Sequence, residues 1–331
     1  MSRFGATVLD PVGPVLSAEE KAFFRDADPF AFILFARHVV DGDQLRRLCG
    51  DLREAVGRNA LITIDQEGGR VQRLVPPMAS QFLPPLEEVA QAGDHAAEAM
   101  NLRYQIIAHE LRSYGIDSNC APLVDVAAPE THPFLQNRCY GMQPDQVAAI
   151  GRAVADGLLA GGVVPVVKHL PGHGRAVSDS HKELPRVSVP RAALDQDFAP
   201  FKALNDLPMG MTAHLLYDAL DDRPATLSPV IMQQIRQEIG FDGLIMTDDI
   251  SMQALSGDRG QIAQQAIAAG CDAVLYCNAP LADKIRVAEA SGQMTSEAQR
   301  RADRAIAARE TPETIDIEAL KAKHDALLNR A

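Results

Sequence analysis

Titratable side chains are concentrated in one segment of the 331-residue chain, residues 168–185, which reads KHLPGHGRAVSDSHKELP. Three histidines and an aspartate lie there, directly after the apolar run GGVVPVV, which predicts a buried strand. Histidine changes its charge near neutral pH, and a neighbouring carboxylate orients the imidazole and stabilises its charged form. One hypothesis for this segment is therefore proton transfer by a carboxylate–histidine dyad, Asp179 and His181, on a loop.

Two other hypotheses for the same segment stay open from the residues alone. A metal ion could be held by His169, His173 and His181 with Asp179, although the intervening Pro-Gly pair breaks the helical spacing of many paired histidine ligands. A phosphate group could bind the PGHG turn, which lacks the Gly-Lys-Ser/Thr ending of phosphate-binding loops.

The segment IDQEGGRVQR, residues 64–73, ends an apolar run in three polar residues and turns on two glycines. A tight turn with a solvated charge pair would have this composition. The functional interpretation is that Asp65 accepts hydrogen bonds from hydroxyl groups of a ligand, while Arg73 holds a polar group of the same ligand. This segment alone does not decide between the two.

The segment TDDISM, residues 247–252, places two adjacent carboxylates after the apolar run GLIM. Adjacent residues of a strand point to opposite faces, so only one of Asp248 and Asp249 is expected to face the interior. A helix N-cap is the alternative, since aspartate is favoured there. Because polar residues end several other apolar runs, Asp248 is a candidate nucleophile and Asp249 a supporting group.

Eight apolar runs must position these side chains, and stretches of helical period separate them. The runs are residues 5–10, 30–36, 60–65, 115–124, 163–170, 209–215, 243–249 and 272–277. Short apolar strands separated by helices predict a parallel α/β arrangement, and eight units fit a (β/α)8 TIM-type barrel. A doubly wound open sheet is the alternative. An open sheet would concentrate its polar residues at one switch point. Here polar residues lie at the ends of several runs, which favours the barrel.

Composition and charge argue against several other classes of protein. A net charge of -12 without a Lys/Arg cluster argues against a nucleic-acid-binding surface. No segment approaches the roughly 20 apolar residues that span a bilayer, and the N-terminus lacks a signal-peptide pattern. Five cysteines without CxxC spacing predict packed, reduced thiols of a cytoplasmic protein. We expect a monomer with one domain over residues 1–331, in which residues 295–331 form a helical tail packed on the barrel.

Five segments together resemble one enzyme family. They are ITIDQEGGRVQR, NRCYG, VVKHLPGHGRAVSDSHKELP, MTAHLLY and IMTDDISM, in this order. The combination is similar to the bacterial β-N-acetylglucosaminidases (β-hexosaminidases) of glycoside hydrolase family 3, of the cytoplasmic peptidoglycan-recycling type. The resemblance covers residues 5–278 and implies a single TIM-type barrel, without the second domain of other family members.

The resemblance also implies roles for individual residues. It places the nucleophile on Asp248 and the acid/base on His181, with Asp179 as the partner of that histidine. The sugar-binding positions of the family fall on Asp65, Arg73, Arg138, Lys168 and His169. Two segments depart from the family pattern, since IMTDD has threonine where serine is frequent and NRCYG stands where an Arg-Ser-Phe-Gly type is common. The resemblance implies no metal and no organic cofactor.

The implied activity is glycoside hydrolysis with retention, which needs a nucleophile and one group that acts first as acid and then as base. The implied substrate is a small glycan, a terminal β-linked N-acetylglucosamine on 1,6-anhydro-N-acetylmuramic acid or its peptide derivative. Transfer of the glycosyl group to phosphate is an alternative, because a histidine acid/base adds no second negative charge near that anion. The second alternative is a non-catalytic sugar-binding barrel, but such a protein would not need Asp179, His181 and Asp248 together.

Overall fold

Strands and helices alternate along the chain. The computed structural model describes residues 3–180, 182–312 and 315–329. The strands in this part of the chain are β1 (Gly5–Leu9), β2 (Pro29–Leu34), β3 (Leu61–Ile64), β4 (Gln66–Gly68), β5 (Val71–Gln72), β6 (Ser118–Asn119), β7 (Val164–Leu170), β8 (Arg186–Val187), β9 (Met209–Thr212), β10 (Leu216–Tyr217), β11 (Leu244–Met246) and β12 (Val274–Tyr276). Each of the eight predicted runs overlaps one of them, and the sequence pattern did not predict β4, β5, β8 and β10.

Helices connect the strands. The α-helices are α1 (Ala18–Ala27), α2 (Gly42–Val56), α3 (Pro85–Ala92), α4 (Ala96–Ser113), α5 (Pro133–Gln136), α6 (Pro144–Ala160), α7 (Arg191–Ala203), α8 (Pro229–Gln234), α9 (Arg259–Ala269), α10 (Leu281–Ser291), α11 (Ser296–Ala307) and α12 (Ile317–Leu328). Short 3-10 helices cover Ala36–His38, Gly93–His95 and Ala225–Leu227, and a π-helix covers Ile235–Ile239.

The eight main strands form two parallel sheets of four strands each, in the orders β12-β1-β2-β3 and β11-β9-β7-β6. Backbone hydrogen bonds join the two sheets at both seams. Asp117 N donates to Ile62 O over 3.1 Å, and Thr247 N donates to Ala273 O over 3.1 Å. The predicted α/β class and parallel pairing are confirmed. The strands form two sheets and not one continuous barrel sheet. The breaks lie beside β6 and β11, which offer only two and three residues for pairing.

Three connections from helix to strand repeat the sequence Gly-x-Asp, as GID, GFD and GCD. The glycines Gly115, Gly240 and Gly270 have φ values of 87°, 79° and 119°, a region that glycine enters without steric cost and that ends a helix. The middle residue is buried in each case, and the aspartate then lies just before β6, β11 or β12. The motif therefore places a carboxylate at the amino end of three strands.

Alternate side chains of the strands belong to two different cores. One core contains residues of both sheets, such as Val8 and Phe30 from one sheet and Val166 and Met209 from the other. Three alanines of α11, Ala298, Ala302 and Ala305, belong to the same core. The opposite faces of the strands pack against the helices, for example through Leu9 and Val167. This alternation fits strands that are covered on both sides.

The remaining expectations from the sequence concern single features. All five cysteines lie in the described part of the chain, where they are buried and free, as the pattern predicted. Of the helices that the structure describes, none is long and apolar enough to cross a bilayer. Residues 295–331 include α11 and α12, while the single-domain organisation of the chain stays a prediction.

Candidate active site

A cavity of about 290 Å³ opens at the carboxyl ends of β2, β3, β7, β11 and β12. Small-ligand sites have volumes from about 300 Å³ upward, so this cavity is at the lower end of their size range. Ile33, Met211 and Leu275 contribute apolar surface to its lining. Its charged and polar lining residues are Asp65, Arg70, Arg73, Arg138, Lys168, His169, Asp248, Asp249 and Asn278.

Lys168, near the carboxyl end of β7, is shared by two carboxylates. Its Nζ lies 3.0 Å from Asp65 Oδ1 and 2.6 Å from Glu67 Oε1. Burial lowers the pKa of Lys168, but the two carboxylates raise that pKa by more, so it lies above its usual value. Burial raises the pKa of Asp65, yet Lys168 and Arg73 more than offset this and hold it well below its usual range. These groups are therefore charged at neutral pH.

Glu67 holds two cations that reach the cavity. Arg138 donates to it twice, from Nε to Oε2 over 2.9 Å and from Nη2 to Oε1 over 2.7 Å. Burial raises the pKa of Glu67, but Arg138 and Lys168 lower it to about 2 overall. The Glu67 side chain is almost fully buried, so it fixes both cations from behind the cavity.

Glu67 is not among the site residues predicted from the sequence. The signal that could have identified it is its spacing from Asp65. Two residues on an extended chain that are separated by one other residue point to the same face. The sequence Asp-Gln-Glu at residues 65–67 therefore places both carboxylates on one side of the chain, where a single lysine can reach both.

His169 is held by a carboxylate that lies behind it. Its Nδ1 is 2.7 Å from Oδ2 of the fully buried Asp125, whose Oδ1 accepts the backbone N–H of His173 over 2.6 Å. Burial raises the pKa of Asp125, but His169 and His173 lower it overall. A proton on Nδ1 of His169 leaves Nε2 as the ring atom that can accept a hydrogen bond from a ligand.

His173, which the metal hypothesis used, packs beside His169 with the ring centroids 5.6 Å apart. Burial and the neighbouring His169 lower the pKa of His173 to about 4, so its imidazole is neutral at pH 7. In the residues that the structure describes, no group of three His, Cys, Asp or Glu side chains is arranged to hold a metal ion. The third histidine of that hypothesis, His181, lies outside them.

Asp248 and Asp249 both line the cavity, although strand alternation predicted only one interior side chain. The reason is that β11 ends at Met246, so both aspartates lie in the turn after it. The Asp249 carboxylate accepts from Ser251 Oγ over 2.7 Å and from Asn278 Nδ2 over 3.1 Å. Asp248 accepts the backbone N–H of Asp249 at Oδ1 over 2.8 Å.

Buried His214 supports the same turn. Its Nε2 lies 3.1 Å from the backbone oxygen of Asp249, and its Nδ1 lies 2.8 Å from Thr226 Oγ1. Burial lowers the pKa of His214. The neutral ring can therefore donate at Nε2 and accept at Nδ1, which fixes the turn that carries Asp248.

A smaller cavity of about 30 Å³ adjoins the first, and Asp179 lines it. The two cavities share the lining residues Phe134, Arg138, His169 and Asp248. At the rim, the exposed Arg70 places its guanidinium 3.5 Å from the centroid of the Phe134 ring and donates to the backbone oxygen of that residue. Asp248 is thus common to the cation-lined cavity and to the one that contains Asp179.

Most of the predicted site residues meet at this place. Those that line the larger cavity are Asp65, Arg73, Arg138, Lys168, His169 and Asp248. Asp179 lines the smaller cavity, and His181 lies outside the described residues. The catalytic and binding roles of these residues stay predictions. The sequence did not single out Glu67, Arg70 and Phe134, and it gave Asp125 no role in the site.

Comparisons with known proteins agree with one another. The N-terminal domain of glycosyl hydrolase family 3 matches residues 10–307. A β-hexosaminidase of Methylococcus capsulatus is 38% identical over 285 residues, which are 82% of this chain and 83% of that protein. NagZ of Neisseria gonorrhoeae has a TM-score of 0.83 at 29% identity, over 99% of this chain and 96% of that one. A family 3 β-N-acetylglucosaminidase of Paenibacillus has a TM-score of 0.81 at 30% identity, over 99% of this chain but only 62% of that one.

Proposed function

Because this chain belongs to glycosyl hydrolase family 3 and is a β-N-acetylhexosaminidase, we propose that it releases terminal β-linked N-acetylglucosamine from glycans with retention of configuration. The resemblance that five sequence segments predicted is thereby confirmed at the level of the family. The proposal concerns the mechanism, the residues that carry it and the substrate.

One observation supports the proposed mechanism above the others. Asp248 lines both the cavity that contains Lys168 and Arg138 and the smaller cavity that contains Asp179. A retaining glycosidase needs a nucleophile on one side of the anomeric carbon and an acid at the leaving oxygen. A sugar in the larger cavity with its glycosidic oxygen toward the smaller one would present its anomeric carbon to Asp248.

The proposed reaction has two steps. In the first, a carboxylate oxygen of Asp248 bonds to the anomeric carbon, the bond from that carbon to the leaving oxygen breaks, and His181 gives its proton to the leaving oxygen. In the second, His181 takes a proton from water, the water oxygen bonds to the anomeric carbon, and the bond to Asp248 breaks. Asp179 orients the imidazole of His181 and stabilises its charged form.

We propose that Asp65, Arg73, Arg138, Lys168 and His169 bind the hydroxyl and acetamido groups of the sugar. The contacts among these residues support that role, because each charged group already has a partner that fixes its direction. Lys168 is held by Asp65, and Arg138 is held by Glu67. Groups that are fixed before the ligand arrives lose little freedom when they bind it.

We further propose that the two sheets are halves of one (β/α)8 barrel that forms a single domain over residues 1–331. The backbone hydrogen bonds at both seams support this, since Cys120 N also donates to Ile64 O over 2.9 Å. The common core of the two sheets supports it as well. In a barrel of this kind the active site lies at the carboxyl ends of the strands, where this cavity opens.

The proposed substrate is N-acetylglucosaminyl-1,6-anhydro-N-acetylmuramic acid or its peptide derivative, and the proposed role is cell-wall recycling. We propose a cytoplasmic monomer that binds neither nucleic acid nor membrane and needs no cofactor. The similarity to bacterial β-hexosaminidases and to NagZ supports the sugar specificity. Arg70 at the rim, stacked on Phe134, offers a positive charge to the carboxylates of such an aglycone.

Product analysis tests the reaction. The chain is incubated with an aryl β-N-acetylglucosaminide, and proton NMR follows the first sugar product. We expect the β-anomer before mutarotation, and no sugar phosphate when phosphate is present. An α-anomer as first product would contradict retention, and a faster reaction that forms a sugar 1-phosphate would establish the phosphorylase alternative. A fluorinated glycoside that traps the intermediate is expected to label Asp248, and labelling of another residue would refute this assignment.

His181 has a separate test, because the two steps need it differently. An activated aryl group departs without a proton, so His181→Ala should still form the glycosyl-enzyme but hydrolyse it slowly. Rapid mixing should show a burst of aryl alcohol followed by slow turnover, and Asp179→Ala should show a weaker form of this defect. If His181→Ala loses the same factor on activated and poor leaving groups and accumulates no intermediate, the acid/base is a different group.

A further inference from the structure

We propose that helix α12 positions the sugar-binding cations of the site through a buried chain of charged contacts, which runs from His324 through Glu88 and Arg103 to Glu67. The inference rests on the proposed function, because the last member of the chain, Glu67, holds Arg138 and Lys168. It gives α12 a role in ligand binding, although the residues of this helix do not line the cavity and lie far from the site residues in the sequence.

The outer contact joins α12 to α3. His324 Nε2 lies 3.0 Å from Glu88 Oε1, and both side chains are almost fully buried. The ring of His324 also meets Phe82 edge to face, with the centroids 5.7 Å apart. Because Glu88 has little contact with water, a partner on each of its two oxygens replaces its hydration.

The inner contact joins α3 and α4 to the active site. Arg103 is fully buried, and its Nη1 donates to the other oxygen of Glu88, Oε2, over 2.7 Å. Its Nη2 donates to the backbone oxygen of Glu67, and the hydroxyl of Tyr104 lies 3.4 Å from the same oxygen. The guanidinium therefore couples the carboxylate that α12 contacts to the backbone of the site.

The turn after Glu67 is shaped to admit this guanidinium. Gly68 has a φ of 97°, and a Cβ at that position would lie 1.8 Å from Arg103 Nη2. A side chain there would therefore displace Arg103 from the Glu67 carbonyl. The glycine serves the contact as well as the turn.

The consequence for the site follows from covalent geometry. Fixing the backbone oxygen of Glu67 fixes the Cα from which its carboxylate extends, and that carboxylate receives two hydrogen bonds from Arg138 and an ion pair from Lys168. A buried charge network is weak evidence for stability, because well-packed apolar residues often stabilise a fold as well or better. Placement of the two cations is the function that apolar residues would not supply.

The experiment compares full-length variants that change α12 alone. His324→Ala removes the contact with Glu88, His324→Gln restores a donor near the position of Nε2, and Leu327→Ala removes a buried side chain of the same helix that is not part of the chain of contacts. The probe is N-acetylglucosamine, titrated by calorimetry, with Tm recorded for each variant. We expect Kd to rise about tenfold in His324→Ala, and to stay within about twofold of the wild type in the other two.

Either of two titration results would overturn the proposal. One is an unchanged Kd in His324→Ala, and the other is an equal rise in Leu327→Ala at a similar loss of Tm, since that would reflect a general loosening of the helix. Failure of the wild type to bind N-acetylglucosamine would refute the proposed sugar specificity instead. Hydrogen exchange then still tests the chain of contacts, because amides of residues 66–73 should exchange faster in His324→Ala than in Leu327→Ala. Equal exchange would overturn it.

Discussion

At the amino ends of the strands, buried carboxylates are surrounded by arginines and backbone N–H groups. Asp117, before β6, accepts the N–H of Ile62 over 2.8 Å, Arg53 over 2.8 Å and Arg309 over 2.5 Å. Asp272, before β12, accepts Arg236 over 2.6 Å and Arg301 over 3.0 Å. These contacts tie helices to the sheets and to each other, so they act on the fold.

At the carboxyl ends, the charged groups are paired as closely, but several of them line a cavity. Lys168 and Arg73 both contact Asp65, and all three line the cavity. The pairing at this end is proposed to orient cations toward a ligand, whereas at the amino ends it completes the packing. The same kinds of residue thus stabilise the fold at one end and are proposed to bind substrate at the other, and substitutions should separate the two roles.

The largest effect is expected for Asp248→Asn. The amide keeps the shape of the side chain but is a poor nucleophile, so kcat should fall about 100,000-fold, in the range of nucleophile removal in other enzymes. Tm and the Kd of N-acetylglucosamine should stay near the wild-type values. Steady-state kinetics, thermal melts and calorimetry measure the three quantities. A variant that retains more than a few per cent of wild-type kcat would exclude Asp248 as the nucleophile.

Glu67→Gln should have the next largest effect on activity. It removes the charge that Arg138 and Lys168 share and leaves two buried cations with one carboxylate fewer. We expect kcat/KM to fall about a hundredfold, or about 2.7 kcal/mol, together with a loss of stability. Kinetics and urea denaturation measure both. A loss of stability with unchanged kcat/KM would assign Glu67 to the fold and not to the site.

The sequence predicted the eight main strands well because each lies in a short apolar run, but it overestimated the length of some of them. The run at residues 115–124 contains only Ser118–Asn119 as strand, since Pro122 has no N–H to pair, and the run at 243–249 ends at Met246, where polar residues begin. The short strands such as β8 have two residues, too few to show a period.

The predicted site residues were found because they sit at the ends of apolar runs or in the family motifs. Contacts between distant segments have no local signal. His169 meets Asp125 across 44 positions, and His324 meets Glu88 across 236. Neither pair can be identified from one sequence, because the spacing along the chain does not determine which helices and strands become neighbours.

At the amino ends, Asp117→Asn should affect stability and not activity. The amide oxygen can still accept the N–H of Ile62, but the buried charge that Arg53 and Arg309 contact is lost. We expect the free energy of unfolding to fall by about 3 kcal/mol, with kcat and KM within twofold of the wild type. Urea denaturation and kinetics check this. A rise in KM comparable to that of Glu67→Gln would show that the two ends are not separable.

Low pH should destabilise the protein through Glu67 and Asp65, which lie at the carboxyl ends of the strands. Both have a folded-state pKa below the unfolded value, so the stability that they contribute is present above pH 4 to 5 and is lost as pH falls toward about 2 for Glu67. The wild type should therefore lose stability between pH 5 and pH 3 more steeply than Glu67→Gln. Urea denaturation across this range measures the slopes. Equal slopes would mean that the Glu67 carboxylate does not titrate at the lowered pKa.

The smallest effect is expected for Asp242→Asn, at the same end as Asp117 and from the same Gly-x-Asp motif. Asp242 contacts Arg301 over 3.3 Å and Arg304 over 2.8 Å, but its side chain is 54% exposed, against 1% for Asp117. Water and salt screen an exposed pair, and ordering long side chains offsets much of the attraction.

The substitution Asp242→Asn should therefore cost less than about 1 kcal/mol and leave kcat and KM unchanged. The cost should shrink further in 0.5 M salt, whereas that of Asp117→Asn should persist. If Asp242→Asn proved as destabilising as Asp117→Asn, burial would not be what separates strong carboxylate contacts from weak ones at this end of the strands.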